Sequence, residues 1–367
     1  MNKIESIMDK ALSGTRISSD EAVFLYKDAP LVKLGKIADK LRWKRAPLPI
    51  VTFVVDRNIN YTNICNVNCK FCAFYRRKND KDSYVLTIDQ ILEKVDGLVK
   101  IGGTQILLQG GLNDEIYLDY ITDTFKTIKE RYPTVDIHSL TTTEIDFYAR
   151  QSGLSTVQVL EKLKNAGMKS LPGGGAEMLV DRIRNFISPK KNTVSSWFKI
   201  MDEAQKLGMP TTSTMVFGFT ETIEERIEHL SKVRDLQDKN HGFTAFIPWS
   251  FEPKNTALSN LKRPSSNDYL RMLAISRIFL DNFRNIESGW VTEGHKIAQI
   301  GLHFGANDMG GILMEEHVIS AAGKSYHMDI PSMVKTIMDS GYIPAQRDTY
   351  YNIKRVFTHV PQVEQRI

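Results

Sequence analysis

The stretch IVTFVVDRNINYTNICNVNCKFC, residues 50–72, changes character halfway along, and the architecture turns on that change. Residues 50–62 are short, β-branched and apolar in their first half, the composition of a strand. Pro47 and Pro49 mark its entry. Beyond residue 62 comes a polar loop holding Cys65, Cys69 and Cys72, spaced Cys-x3-Cys-x2-Cys, and the rest of the chain has no other thiol. A strand that carries a chemically loaded loop at its C-terminal end is the arrangement of parallel α/β barrels, where active residues stand beyond the carboxyl ends of the strands.

The pattern repeats along the chain. After the strand over 50–62 we read strands at TQILLQ (104–109), VDIHSL (135–140), MKSLP (168–172), TTSTMVFGF (211–219), FTAFIPW (243–249), NIESGWV (285–291) and IGLHFGA (300–306). Amphipathic segments such as TIDQILEKVDGLVKI and SSWFKIMDEAQKLG separate most of them. Eight strands with intervening helices predict an α/β fold, a (β/α)8 TIM-type barrel over residues 49–310, with an open six-strand barrel as the alternative. Residues 1–48 read as a helical lead-in packed on the barrel, with Ser18 or Ser19 capping its second helix. Residues 311–367 read as a helical extension that completes the active site.

Composition narrows the classes. Hydrophobic residues make up 42% and charged residues 25%, which excludes a disordered or membrane-embedded chain. No N-terminal apolar run suits a signal peptide and no window suits a bilayer span, so a cytoplasmic protein without membrane insertion is expected. In that reducing compartment three cysteines point to metal ligation or catalysis before disulfides. The net charge of +5 is spread along the chain, and the basic spot at Arg76, Arg77 and Lys78 is offset by Asp80 and Asp82, so no nucleic-acid partner is expected.

Structural zinc takes four protein ligands, and no histidine lies between Cys72 and His138 to complete a local site. Zinc with a distant fourth ligand is one alternative. An iron–sulfur cluster held by three thiolates is the other, and it leaves one iron open to a substrate or cofactor. Three cysteines filling a core is disfavoured by the polar neighbours Asn66, Asn68 and Lys70.

With Phe71 just before the last cysteine, this spacing resembles the radical S-adenosylmethionine enzymes. The resemblance implies a 4Fe–4S cluster on Cys65, Cys69 and Cys72 whose open iron chelates S-adenosylmethionine, and a 5′-deoxyadenosyl radical formed on reduction. No cysteine is left for an auxiliary cluster, so rearrangement, addition or cyclisation is expected rather than sulfur insertion. Longer stretches, LPGGGAE (171–177), SGWVTEG (288–294), GANDMGGILMEEHVISAAG (305–323) and IPAQRDTYYNI (343–353), look like the cyclic dehypoxanthine futalosine synthases of menaquinone biosynthesis over nearly the whole chain. That likeness implies dehypoxanthine futalosine as substrate, hydrogen abstraction from its ribose C4′, attack on its benzoate ring, and a low-potential electron donor such as flavodoxin or ferredoxin. Aminofutalosine synthases and the deazaflavin-forming enzymes share part of the pattern. An iron–sulfur electron carrier or a zinc-stabilised scaffold is the competing reading from another class.

The resemblance also distributes roles. Phe71, Gly110 and Gly111 are expected beside the cofactor, with Glu177 and Glu144 accepting from its amino group or ribose hydroxyls. His138, and after it Glu144, are the candidates for acid–base work. Asn307, Asp308 and Glu315 are candidates for sugar hydroxyls, and Arg347 for the benzoate. Arg182 could reach a carboxylate, although a surface ion pair suits its place on a helix better. Trp249 and Trp290 are expected to wall the pocket.

Overall fold

The computed structural model describes residues 2–324 and 326–362. The run that begins at Ile50 is not one strand but two in line, β1 (Ile50–Val54) and β2 (Asp56–Asn60), offset at Val55. They are followed by β3 (Gln105–Gln109), β4 (Asp136–Ser139), β5 (Met168–Ser170), β6 (Thr211–Phe217), β7 (Phe243–Ser250), β8 (Asn285–Ile286), β9 (Asp308–Gly311), β10 (Ile343–Arg347) and β11 (Ile353–Val356). Parallel ladders run β2-β3-β4-β5 and β6-β7-β8. Single parallel bridges, Leu171 to Thr211 and Glu287 to Asp308, join these ladders to each other and to β9, and β9 pairs with β1. The ring closes: this is a (β/α)8 TIM-type barrel whose first stave is β1 and β2 together.

The eighth stave lies later than the sequence suggests. Residues 300–306 hold the end of a helix, His295–Gly301, and a turn; the strand is Asp308–Gly311. Arg277 explains the turn, since its guanidinium donates to Gly305 O at 2.7 Å and to Asn307 Oδ1 at 2.8 Å and so fixes the chain before β9 starts. The seventh stave is likewise shorter than expected, because only Asn285–Ile286 keeps the ladder.

The lead-in is three helices, Lys3–Leu12, Ser19–Asp28 and Leu31–Arg45, and Ser18 caps the second through a reciprocal capping box with Glu21. Arg42 fastens the third to the barrel: buried, it donates to Ala46 O, Leu48 O and Ile50 O at 3.0, 3.0 and 2.7 Å. Beyond residue 311 the chain is not helical throughout. Besides the helices Val318–Ala321 and Ile330–Met338 it contributes β10, parallel to β1 at the foot of β3, and antiparallel β11. β10 brings Arg347 into the barrel.

Candidate active site

The cysteine loop leaves β2 and is tied down by its own backbone. Cys65 N donates to Arg76 O at 3.0 Å, Asn66 N to Leu112 O at 3.0 Å and Lys70 N to Ile187 O at 2.8 Å. Arg76 spans the loop's far end, with Nη1 shared among the carbonyls of Ala73, Phe74 and Tyr75. The three thiols gather with Val67, Leu112 and Phe147 in a small apolar cluster separate from the main core. Among the described residues no three His, Cys, Asp or Glu side chains are close enough to hold a single metal ion. Three cysteines gathered in one loop are a donor set that would suit an iron–sulfur cluster, in which each thiolate binds a different iron. Burial lifts the Cys69 thiol to about 12 against the pull of Lys191, and lifts Cys72 too, so a metal that took them as thiolates would have to supply the compensating positive charge.

Gly111 makes this loop fit. A Cβ there would sit 2.2 Å from Ile64 O, and one on Gly110 2.7 Å from the Tyr61 ring, so the glycines at the end of β3 let the loop cross the strand. Both face the loop and Tyr61, not the main cavity. Glu144 holds the same junction. It sits at the start of the helix Thr142–Ser152 and takes four donors: Tyr61 Oη (2.8 Å), Gly110 N (2.9 Å), Thr141 N (2.7 Å) and Thr141 Oγ1 (2.9 Å). Burial raises its carboxyl to about 7 despite these donors. With four donors on its carboxylate and no place in the cavity lining, Glu144 in this structure ties the cysteine loop to the end of β3.

One cavity of about 320 Å³ runs from Phe71, Cys72 and glycines 173–175 at the strand ends down to Arg347 and Tyr351. Glu177 lines it in a backbone conformation with φ of 39°, uncommon for a residue with a side chain. Its Oε1 accepts from Lys191 at 2.8 Å; its Oε2 is buried, has no hydrogen-bond partner and lies 3.8 Å from Arg184 Nη1. His138 lines the cavity with Nδ1 2.6 Å from Ser170 Oγ. Burial, helped by Arg347, pushes its pKa down to about 3. That direction, with Nδ1 already engaged by Ser170, runs against the base poised near neutrality expected of it.

The floor holds three carboxylates and one cation. Arg347 forms a buried two-pronged pair with Asp308, Nε to Oδ2 at 2.6 Å and Nη2 to Oδ1 at 3.0 Å, and lies 3.8 Å from the Tyr351 ring centroid. Asp308 also accepts from Thr52 Oγ1 and Gly310 N. Arg347 thus reaches the cavity with its fork already closed. Asp56, on the same floor, accepts from Leu313 N at 2.9 Å and is pushed up to about 7 by burial. Glu287 is pushed up to about 8, again chiefly by burial, with Asp308 adding to it.

Three other expected site residues lie elsewhere. Asn307 is spent inside the wall, accepting from Arg277 and donating to Asn285 Oδ1 at 2.9 Å. Glu315 belongs to an ion cluster with Arg57 and Lys94 outside the main cavity. Arg182 is a surface partner of Glu225, at 2.7 and 2.6 Å. Trp249 lines the cavity as expected, whereas Trp290 is buried behind it, donating to Gly311 O at 2.9 Å. The residues that sequence reasoning passed over are the polar inward positions of the strands: Asp56 and Asn58 on β2, Gln105 and Gln109 on β3, Thr212 and Thr214 on β6. Their signal was present, because polar side chains recurring on the inward face of a buried parallel strand need a reason.

Residues 59–233 match the family described as the Radical SAM superfamily, and residues 240–360 that described as the CofH/MqnC C-terminal region. The cyclic dehypoxanthine futalosine synthase of Halalkalibacterium halodurans is 44% identical over 96% of this chain and 96% of its own length; that of Streptomyces coelicolor is 42% identical over 95% and 88%. The 5-amino-6-(D-ribitylamino)uracil--L-tyrosine 4-hydroxyphenyl transferase of Methanococcoides burtonii is 39% identical over 95% and 98%. Methylornithine synthase, at 19% identity, matches the fold with a TM-score of 0.74 over 92% of this chain and 97% of that one. A closed barrel, a three-thiol loop at its strand ends and these relatives together place the chain in the radical S-adenosylmethionine superfamily, in the branch that contains the cyclic dehypoxanthine futalosine synthases.

Proposed function

We propose that the protein cyclises dehypoxanthine futalosine in menaquinone biosynthesis, in the cytoplasm, with a flavodoxin or ferredoxin as electron donor. The observation that supports this reading is the cavity that joins Cys72 to inward polar side chains of the barrel, Asn58, Gln105, Thr212 and Thr214 among a mostly apolar lining, so that a radical formed at the cysteine loop would share one chamber with a nucleoside-sized substrate. Cys65, Cys69 and Cys72 would hold a 4Fe–4S cluster, which with S-adenosylmethionine supplies a 5′-deoxyadenosyl radical able to take hydrogen from ribose C4′. Glu177 Oε2, buried and unpartnered, would accept from the cofactor's ammonium or ribose hydroxyls. Asn58, Gln105, Thr212 and Thr214 would orient the substrate's sugar, Trp249 would flank its aromatic ring, and Arg347 gives the floor its positive wall. Because the carbon–carbon bond forms within one molecule, what these side chains contribute is a near-attack pose. No helix among the described residues is long and apolar enough to cross a membrane.

The test is anaerobic turnover of the reconstituted, reduced enzyme with S-adenosylmethionine and dehypoxanthine futalosine, following 5′-deoxyadenosine and substrate mass. The expected product is two hydrogens lighter than the substrate, and Cys→Ala at position 65, 69 or 72 abolishes it. A second reading has its own support, the archaeal transferase at 39% identity over 95% of the chain. Consumption of 5-amino-6-(D-ribitylamino)uracil and tyrosine, with dehypoxanthine futalosine untouched, would replace the substrate and keep the radical chemistry.

A further inference from the structure

Cyclisation onto a benzoate ring displaces a ring proton, and something inside the barrel has to receive it. His138 has Nδ1 engaged by Ser170 Oγ at 2.6 Å and is made less basic by burial, and Glu144 is absent from the cavity lining and takes four donors. We propose that Glu287, immediately after β8, is the proton acceptor of the ring-forming step, an inference that rests on the cyclase reading above.

The geometry singles this carboxylate out. Glu287 is only 8% exposed and lines the cavity floor, yet its side chain receives no hydrogen bond from any described residue. Its backbone is fixed, N donating to Phe246 O at 3.0 Å and the residue bridging to Asp308. Space has been left for it: a Cβ on Gly310 would lie 2.2 Å from Oε1. Of the other two acids on the floor, Asp56 has one oxygen engaged by Leu313 N and Asp308 is closed by Arg347, so Glu287 is the one with both oxygens available. The titratable groups that bear on it are Asp56 from β2, Tyr269 from the helix Ser266–Phe279, Asp308 from β9, Arg347 from β10 and Tyr351 beyond it. Burial among two acids and one cation makes it more basic than an ordinary carboxylate, which suits proton abstraction near neutral pH.

Atoms and electrons balance in this step. The C4′ radical adds to a ring carbon, forming the new carbon–carbon bond and spreading the unpaired electron over the ring. The hydrogen on the attacked carbon leaves as a proton to the Glu287 carboxylate, and its bonding pair restores the aromatic sextet. The surplus electron goes to a one-electron acceptor of the oxidised iron–sulfur class. The substrate thereby loses one hydrogen atom, one proton and one electron, two hydrogens in all.

The decisive experiment uses reconstituted Glu287→Gln with substrate deuterated at C4′, and reads cyclised product, deoxyadenosine and its deuterium content together. Expected is a loss of at least about 100-fold in product, with deuterated deoxyadenosine still forming and a substrate-derived radical visible by electron paramagnetic resonance. Wild-type product formation rises with pH toward the Glu287 value, and the variant loses that rise. Product at the wild-type rate and pH profile overturns the proposal, as does loss of deuterium transfer itself in a variant that still binds substrate by calorimetry. Should Glu287→Gln not fold, judged by iron content and circular dichroism, Glu287→Asp decides: partial uncoupling supports the role, and full coupling with an unaltered pH profile removes it. A wild-type enzyme that leaves dehypoxanthine futalosine unchanged would instead sink the cyclase reading.

Discussion

Gly111 carries more of the site than any charged residue near it. The carbonyl of Ile64 passes where its side chain would be, and that crossing sets where Cys65 begins. Gly111→Ala forces a backbone shift against backbone, for which the general cost of overpacking is about 1–3 kcal/mol. The expected result is a lower urea midpoint and less than the full iron complement after anaerobic reconstitution; a full complement at the wild-type midpoint would show that the loop accommodates the methyl. Glu144→Gln tests the same junction from the other side, because an amide must point a donor at Tyr61, Gly110 or Thr141. Its activity should fall in proportion to bound iron, with turnover per cluster retained. A fall in turnover per cluster would return Glu144 to the chemistry. The cysteines were legible in the sequence since their spacing is local. Glu144 was not, because its partners come from just beyond β2, just beyond β3 and the residue that caps its own helix, and only the fold reveals that its carboxylate takes four donors.

Among the strands and helices, alternation was legible and its interruptions were not. Seven of the eight expected staves stand near their predicted places, since β-branched runs between amphipathic helices are a local signal. The eighth was displaced because IGLHFGA reads as apolar strand until Arg277, from another helix, pins Gly305 and Asn307. β10 was missed for a related reason: IPAQR is short, begins beside a proline and pairs with β1, some three hundred residues earlier. That strand matters to the site, since Arg347 brings the C-terminal segment onto β9 through Asp308. Arg347→Met leaves Asp308 buried without its cation, and breaking such a pair typically costs about 3–5 kcal/mol. Denaturant titration should show that loss, and Asp308→Asn in the Arg347→Met background should recover part of it by removing the stranded charge. No recovery would mean that the arginine acts through packing on Tyr351 rather than through the pair.

Across the protein, the buried titratable groups impose a pH dependence of stability with a definite sign. Burial raises Asp56 and Glu144 to about 7 and Glu287 to about 8, whereas in the unfolded chain they are ordinary carboxylates near 4. The folded protein keeps protons that the unfolded chain has released, so this contribution is complete below the unfolded values and is lost as pH rises through 7 to 8. His138 and His229 act in the opposite sense: burial lowers both to about 3, and below about 6.5 the unfolded chain takes up protons that the fold refuses. Above about 6.5 both histidines are mostly neutral in either state, so the three acids set the slope there. Each one adds at most about 1.4 kcal/mol per pH unit within its window. Scanning calorimetry should therefore find the melting temperature falling between about pH 6.5 and 8, and falling less steeply in Glu287→Gln, which has no proton to lose. A melting temperature that is flat or rising over that interval would mean that these acids are ionised in the fold, and that the floor of the barrel is wetter than its burial implies.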